Sequence, residues 1–153
     1  MLPVPRTLEF RNGTFILDGK CPILISGFSA GESFRTARLI ADSLLEKGIV
    51  PPSIARVSGS SAPHAVNLSL EPSHPPEGYR VEIATDGVIL GASTPKGLLY
   101  AARSLLQIVG QTGRTVPCLT ITDMPAFEIR GFYHDISRGK VPTLATMKCI
   151  VEK

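Results

Sequence analysis

Glu77-Gly78-Tyr79-Arg80-Val81-Glu82-Ile83-Ala84-Thr85-Asp86-Gly87-Val88-Ile89-Leu90-Gly91-Ala92-Ser93-Thr94-Pro95-Lys96-Gly97-Leu98 is the stretch that decides how this chain folds. Tyr79, Val81 and Ile83 alternate with polar residues, and Val88 and Leu90 continue the alternation. A period of two marks strands with one buried face and favours antiparallel pairing. Thr85-Asp86-Gly87 reads as the hairpin turn between them, with Gly87 tolerating positive φ. Thr94-Pro95 then opens a helix, because Thr caps well and Pro suits the first helical position. Leu98, Ala101, Ala102, Leu105 and Val109 make its single apolar stripe, closed by Gly110. The Gly91 to Gly97 run lacks the Gly-Lys-Ser/Thr ending of a phosphate loop, so a helix start explains it better.

Working back toward the N-terminus, Val66-Leu68-Leu70 is another alternating strand, and residues 51–64 form a loop around one weak strand, Ile54 to Val57. Before it, Phe34, Ala37, Arg38, Ala41, Leu44 and Leu45 recur at helical spacing. Ser29 and Glu32 have the spacing of a capping box. Thr7 to Phe10, Asn12-Gly13 and Thr14 to Leu17 read as a hairpin, followed by a short apolar run from Pro22 to Ser26.

Toward the C-terminus, Thr115 to Thr122 reads as a strand that returns to the sheet. Grouped strands with two helices on one face argue an α+β domain, built on a largely antiparallel sheet and spanning residues 1–125. After Met124-Pro125 the pattern changes. Phe127 to Ile136 reads as a strand, a Ser-Arg-Gly-Lys loop follows, and Pro142 opens a helix with Leu144, Met147, Ile150 and Val151 on one face. Residues 126–153 are therefore expected to be one β-loop-α unit of a larger parallel structure, with the chain stopping inside it.

Composition narrows the function. The chain has 153 residues, 43% hydrophobic and 19% charged, enough for one core without disulfides. Sixteen Lys and Arg against thirteen Asp and Glu give a net charge of +3, scattered rather than clustered. No basic stripe interleaved with aromatics exists, so nucleic acid is not an expected partner. No apolar run approaches the ~18 residues that cross a bilayer, so no membrane partner is expected. The first residues lack the charged head and apolar stretch of a signal peptide, which leaves the compartment open with a slight lean to the cytoplasm. Cys21, Cys118 and Cys149 are too far apart for a disulfide framework or a zinc site and are expected as buried free thiols. His64 and His74 lie in Pro-rich loops and read as solvated. His134, Asp135 and Ser137 do not read as a triad, since neighbouring strand residues point to opposite faces. No metal site and no cofactor are expected.

Residues 77–101, with Val116-Pro117 and Ile121-Thr122-Asp123-Met124-Pro125, resemble the non-catalytic domain that precedes the barrel in family 20 glycoside hydrolases, the β-N-acetylhexosaminidases. Leu2-Pro3-Val4-Pro5 is similar to that domain's start. Phe127-Glu128-Ile129-Arg130-Gly131-Phe132-Tyr133-His134-Asp135-Ile136-Ser137-Arg138 resembles the first strand and loop of the family's (β/α)₈ barrel. The resemblance implies retaining hydrolysis of terminal N-acetylhexosamine residues from a glycan, assisted by the substrate's acetamido group. An adjacent Asp-Glu pair carries that chemistry, and this chain has no Asp-Glu dipeptide. The resemblance therefore implies an enzyme whose truncated N-terminal piece is inert and has no catalytic residue of its own. It also implies that Arg130 contacts sugar hydroxyls, and that Asp135 and Arg138 line or brace the pocket. Gly139 stands where the family often has His. The rival is a freestanding carbohydrate-binding or protein-interaction module. Residues 126–153, with uncovered apolar faces, are expected to fold back on the domain or pair with a second copy.

Overall fold

The computed structural model describes residues 4–50, 53–59, 61–131 and 141–152. In chain order the elements are β1 (Thr7–Ile16), β2 (Ile23–Ser26), α1 (Ala30–Glu46), β3 (Ile54–Arg56), β4 (Val66–Leu70), β5 (Tyr79–Ala84), β6 (Gly87–Ala92), α2 (Pro95–Thr112), β7 (Thr115–Asp123) and α3 (Leu144–Glu152). The seven strands form one sheet in the order β1-β7-β5-β6-β4-β2-β3. The class is α+β. The sheet is mixed rather than largely antiparallel: β1, β7, β5 and β6 pair antiparallel, whereas β6·β4, β4·β2 and β2·β3 are parallel. Helix α1 accounts for the β2·β3 pair, because a helical crossover returns the chain so that the next strand runs the same way.

Side-chain rows run across the strands on the helix side. Ile121, Val81, Leu90, Leu68 and Ile25 are register partners in one row; Leu119, Ile83, Val88, Val66 and Ile23 make the next. All ten are buried, and they form one core with Ala37, Ile40 and Leu44 of α1 and Leu98, Ala102 and Leu105 of α2. Burying each such Leu, Ile or Val stabilises by roughly 1.5–3 kcal/mol. Both helices lie over this sheet and touch each other.

Local readings fail where a distant partner intervenes. Asn12-Gly13 is not a hairpin turn: Thr7 to Ile16 is one strand along β7, with a bulge between Phe10 and Thr14. Gly13 sits there at φ +107°, and a Cβ would lie 2.7 Å from the Thr85 methyl. The Thr85-Asp86 turn does join β5 to β6, but Gly87 does not have positive φ; it lets β6 approach, since a Cβ would sit 3.1 Å from the Ala65 carbonyl. The Ser29 side chain makes no cap. Instead Ser33 donates its hydroxyl to the Ser29 carbonyl. The buried stripe of α1 is Ser33, Thr36, Ala37, Ile40, Ala41 and Leu44, so Phe34 (48% exposed) and Leu45 (56%) lie outside it.

Helix α2 starts as read, with Thr94 Oγ1 accepting from Gly97 N at 3.2 Å. Residues 127–131 are not in a strand, and the rest of the expected strand, 132–136, lies outside the described residues. Helix α3 carries exposed Leu144, Met147 and Ile150. Cys21 and Cys118 are buried free thiols as expected, but Cys149 is exposed.

Candidate functional site

Three features of the domain carry polar chemistry. The first is at the start of β5, where the loop before the strand holds Glu77 at φ +69°. For a residue with a Cβ that conformation costs of order 1–3 kcal/mol. It aims a carboxylate, only 18% exposed, between two cations. Lys96 at the start of α2 donates to Oε1, and Arg130 donates to Oε2. These two hydrogen bonds, Lys96 first, hold the Glu77 carboxyl below the usual carboxylate range. Arg130 also reaches the Tyr100 hydroxyl at 3.0 Å, stands 5.9 Å from that ring's centroid, and donates to the Phe127 carbonyl.

Beside this cluster a cleft of about 450 Å³ is lined by Tyr79, Tyr100, Arg103, Met124, Pro125 and Arg130. The Tyr79 hydroxyl, 2.8 Å from Ser104 Oγ, donates to Asp123 Oδ2 at 3.2 Å. Burial, and then the charge of Asp123, push the Tyr79 phenol up to about 12. It is a neutral donor, not a base.

The second feature crosses the sheet face away from the helices. Arg80 bonds Glu71 at 2.7 Å and also bonds Glu82, which accepts from Arg11 at 3.0 Å. His74 lies 2.9 Å from Glu71. Its side chain is only 15% exposed, so His74 is not solvated as the sequence suggests. His64 is exposed, 3.6 Å from Asp18. Burial pushes the Glu71 carboxyl up, but the hydrogen bonds from Arg80 and His74 outweigh it and hold the group low. The third feature is a polar hollow of about 420 Å³ bordered by Asn67, Glu82, Asp86 and Ile89. Asn67 is committed there to both backbone groups of Ala62.

A general acid near neutral pH needs a raised carboxyl pKa. Glu71 and Glu77 are both held low by cations. Among the described residues, no group of three or more His, Cys, Asp or Glu could hold a metal ion. No helix among them is long and apolar enough to cross a membrane.

Of the residues singled out from the sequence, Arg130 lies in the Glu77 cluster, while Asp135 and Arg138 (like His134 and Ser137) lie outside the described residues. Glu77, Tyr100 and Glu71 were missed. Glu77 and Arg130 are 53 positions apart, and no local pattern links them.

A family model described as "Glycosyl hydrolase family 20, domain 2" matches residues 1–124. The chain belongs to glycosyl hydrolase family 20. Among its relatives, a β-hexosaminidase of Porphyromonas gingivalis is 28% identical over 149 residues, covering 90% of this chain and 19% of the relative. A β-N-acetylhexosaminidase of Cellulomonas fimi is 31% identical over 144 residues, covering 90% and 28%. The X-ray structure of a Flavobacterium johnsoniae chitobiase has the same fold, with a TM-score of 0.72 at 21% identity, covering 90% of this chain and 22% of that one. The family 20 chain thus spans between 19% and 28% of the length of these proteins.

Proposed function

We propose that this family 20 chain is the N-terminal part of a β-N-acetylhexosaminidase. Residues 1–125 are its non-catalytic domain, and residues 126–153 are the first strand, loop and helix of its (β/α)₈ barrel. The whole enzyme removes terminal N-acetylhexosamine residues with retention, using the substrate's own acetamido group as nucleophile. The chemistry lies in later barrel strands, so this chain alone is inert and its domain supports the barrel. Asp135 and Arg138 line or brace the sugar pocket of the whole enzyme.

One observation carries the reading. The two curated relatives each match 90% of this chain, more than the 124 residues of the family model account for. Residues beyond the domain share in that match, which supports a counterpart here to the next segment of those hexosaminidases. Exposed Phe34 and Leu45 on α1, and Phe127 and Ile129 beyond β7, supply apolar surface for a further domain to cover.

A chimera tests it. Residues 1–131 replace the matching segment of the Cellulomonas fimi enzyme, and hydrolysis of a chromogenic N-acetyl-β-glucosaminide is measured. The chimera is expected to turn over substrate. A folded chimera without activity argues against the reading and favours a freestanding module.

A further inference from the structure

We propose that Asp123 is a positioning residue: through Arg6 and Tyr79 it fixes the direction in which the chain leaves β7 for the segment that follows. The inference rests on the proposed function only in taking a barrel to come after residue 125.

The strand ladders run out where Asp123 stands. It is the last residue of β7, its pairing with Tyr79 ends the β5·β7 register, and the β1·β7 register stops one residue earlier, at Thr7 and Thr122. Side-chain bonds take over from the ladder at this point, and Asp123 makes them to two segments at once. Its Oδ1 accepts the backbone N–H of Arg6, just outside β1, at 3.2 Å. Its Oδ2 accepts the Tyr79 hydroxyl at 3.2 Å, and that oxygen lies 2.8 Å from Ser104 Oγ in α2. Tyr79 and Ser104 are buried, so the carboxylate is tied to groups that the core holds still. The chain beyond Asp123 carries its direction onward. A proline fixes its own φ and keeps the residue before it extended, so Met124-Pro125 is stiff. Pro5 is buried and stiffens the entry beside it, where Val4 and Arg6 line the same cleft as Met124, Pro125 and Ala126. One carboxylate thus joins the way into the domain, the way out, the sheet and a helix.

Nuclear magnetic resonance on the 153-residue chain tests the tie, with Asp123→Ala, Asp123→Asn and Tyr79→Phe compared. Asp123→Ala is expected to speed hydrogen exchange at the Arg6 amide about two- to tenfold, the worth of one net hydrogen bond. It should also lower the order parameters of the Met124 and Ala126 amides from rigid values of about 0.85 to below about 0.6. Tyr79→Phe, which keeps the bond to Arg6, should loosen Met124 and Ala126 and leave Arg6 exchange unchanged. Asp123→Asn should restore both ends. Its oxygen accepts from Arg6, and its amide can donate to the Tyr79 oxygen while that hydroxyl turns to Ser104. Exchange in β6 and α1 should not change in any variant. In the Cellulomonas fimi chimera, Asp123→Ala should lower kcat/KM severalfold and Asp123→Asn should recover most of the loss. Rigid Met124 and Ala126 amides in Asp123→Ala would overturn the proposal. So would exchange in β6 and α1 speeding as much as at Arg6, the mark of general stabilisation, or an active chimera indifferent to Asp123→Ala. An inactive unsubstituted chimera with the resonance results intact would instead count against the functional reading.

Discussion

Gly97, in the first turn of α2, packs directly on the carbonyl of Gly78 at the start of β5, where a Cβ would come to 2.5 Å of that oxygen. The obstacle is backbone, so neither side can rotate away. This contact sets how closely α2 lies on the strand that begins beside Glu77. Gly97→Ala should therefore destabilise, although Ala is the better helix former by about 1 kcal/mol. Overpacking typically costs 1–3 kcal/mol, and a backbone oxygen at 2.5 Å places this site in the upper part of that range, about 2–3 kcal/mol. A net loss of roughly 1–2 kcal/mol is expected, seen as a Tm lowered by about 2–8 °C. Thermal unfolding monitored by circular dichroism checks it; an unchanged or raised Tm counts against the packing described.

Glu71 makes the fold sensitive to acid. Its carboxylate lies over Gly91, where a Cβ would meet it at 2.3–2.4 Å, and bonds Arg80 and His74. Its folded pKa is below the ordinary value of 4.5. A depressed carboxyl pKa contributes stability that is present above the unfolded value and lost as pH falls through the folded one. Urea unfolding between pH 6 and pH 3 should show stability falling below about 4.5. Glu71→Gln should cost about 1–2 kcal/mol at pH 7 and flatten that fall. An equally steep fall in the variant would rule Glu71 out as its source.

The thiols should separate by exposure. Cys149 is exposed, whereas Cys21 and Cys118 are buried. Burial, and then the Asp18 charge, push the Cys21 thiol up to about 11, far from the thiolate that reacts. A disulfide reagent at pH 8 should titrate one thiol quickly in the native chain and all three after unfolding. Two fast native thiols would contradict the burial.

Residues 126–153 leave Phe127, Ile129, Leu144, Met147 and Ile150 exposed. The chain should self-associate with rising concentration, as measured by sedimentation velocity. Replacing Phe127 and Ile129 with Ser should weaken that association and leave the Tm of the domain unchanged. Equal association by the variant would place the contact elsewhere, for example on Phe34 and Leu45.

What was legible in the sequence depended on how far away the partner was. The β5-β6 hairpin and the start of α2 could be read because turn residues, alternation and cap lie within a few positions of one another. Strand β1 was misread because its partner, β7, lies more than a hundred residues on, and the Asn-Gly signal spoke only for the local chain. The face of α1 was misread because its buried stripe includes Ser33 and Thr36. Those hydroxyls satisfy themselves on carbonyls four residues back, so polar residues can face a core. The Glu77 to Arg130 contact was illegible for the same reason as β1. Arg130 itself was found by resemblance, which names a residue without naming its partner.

As proposed above, the chemistry of this family lies outside residues 1–153. Hydrolysis of a chromogenic N-acetyl-β-glucosaminide by the purified 153-residue chain, beside the chimera carrying the Cellulomonas fimi barrel, tests it most directly. Release no faster than in buffer is expected for the chain, and sustained turnover for the chimera. Turnover by the chain alone, proportional to its concentration, would contradict it.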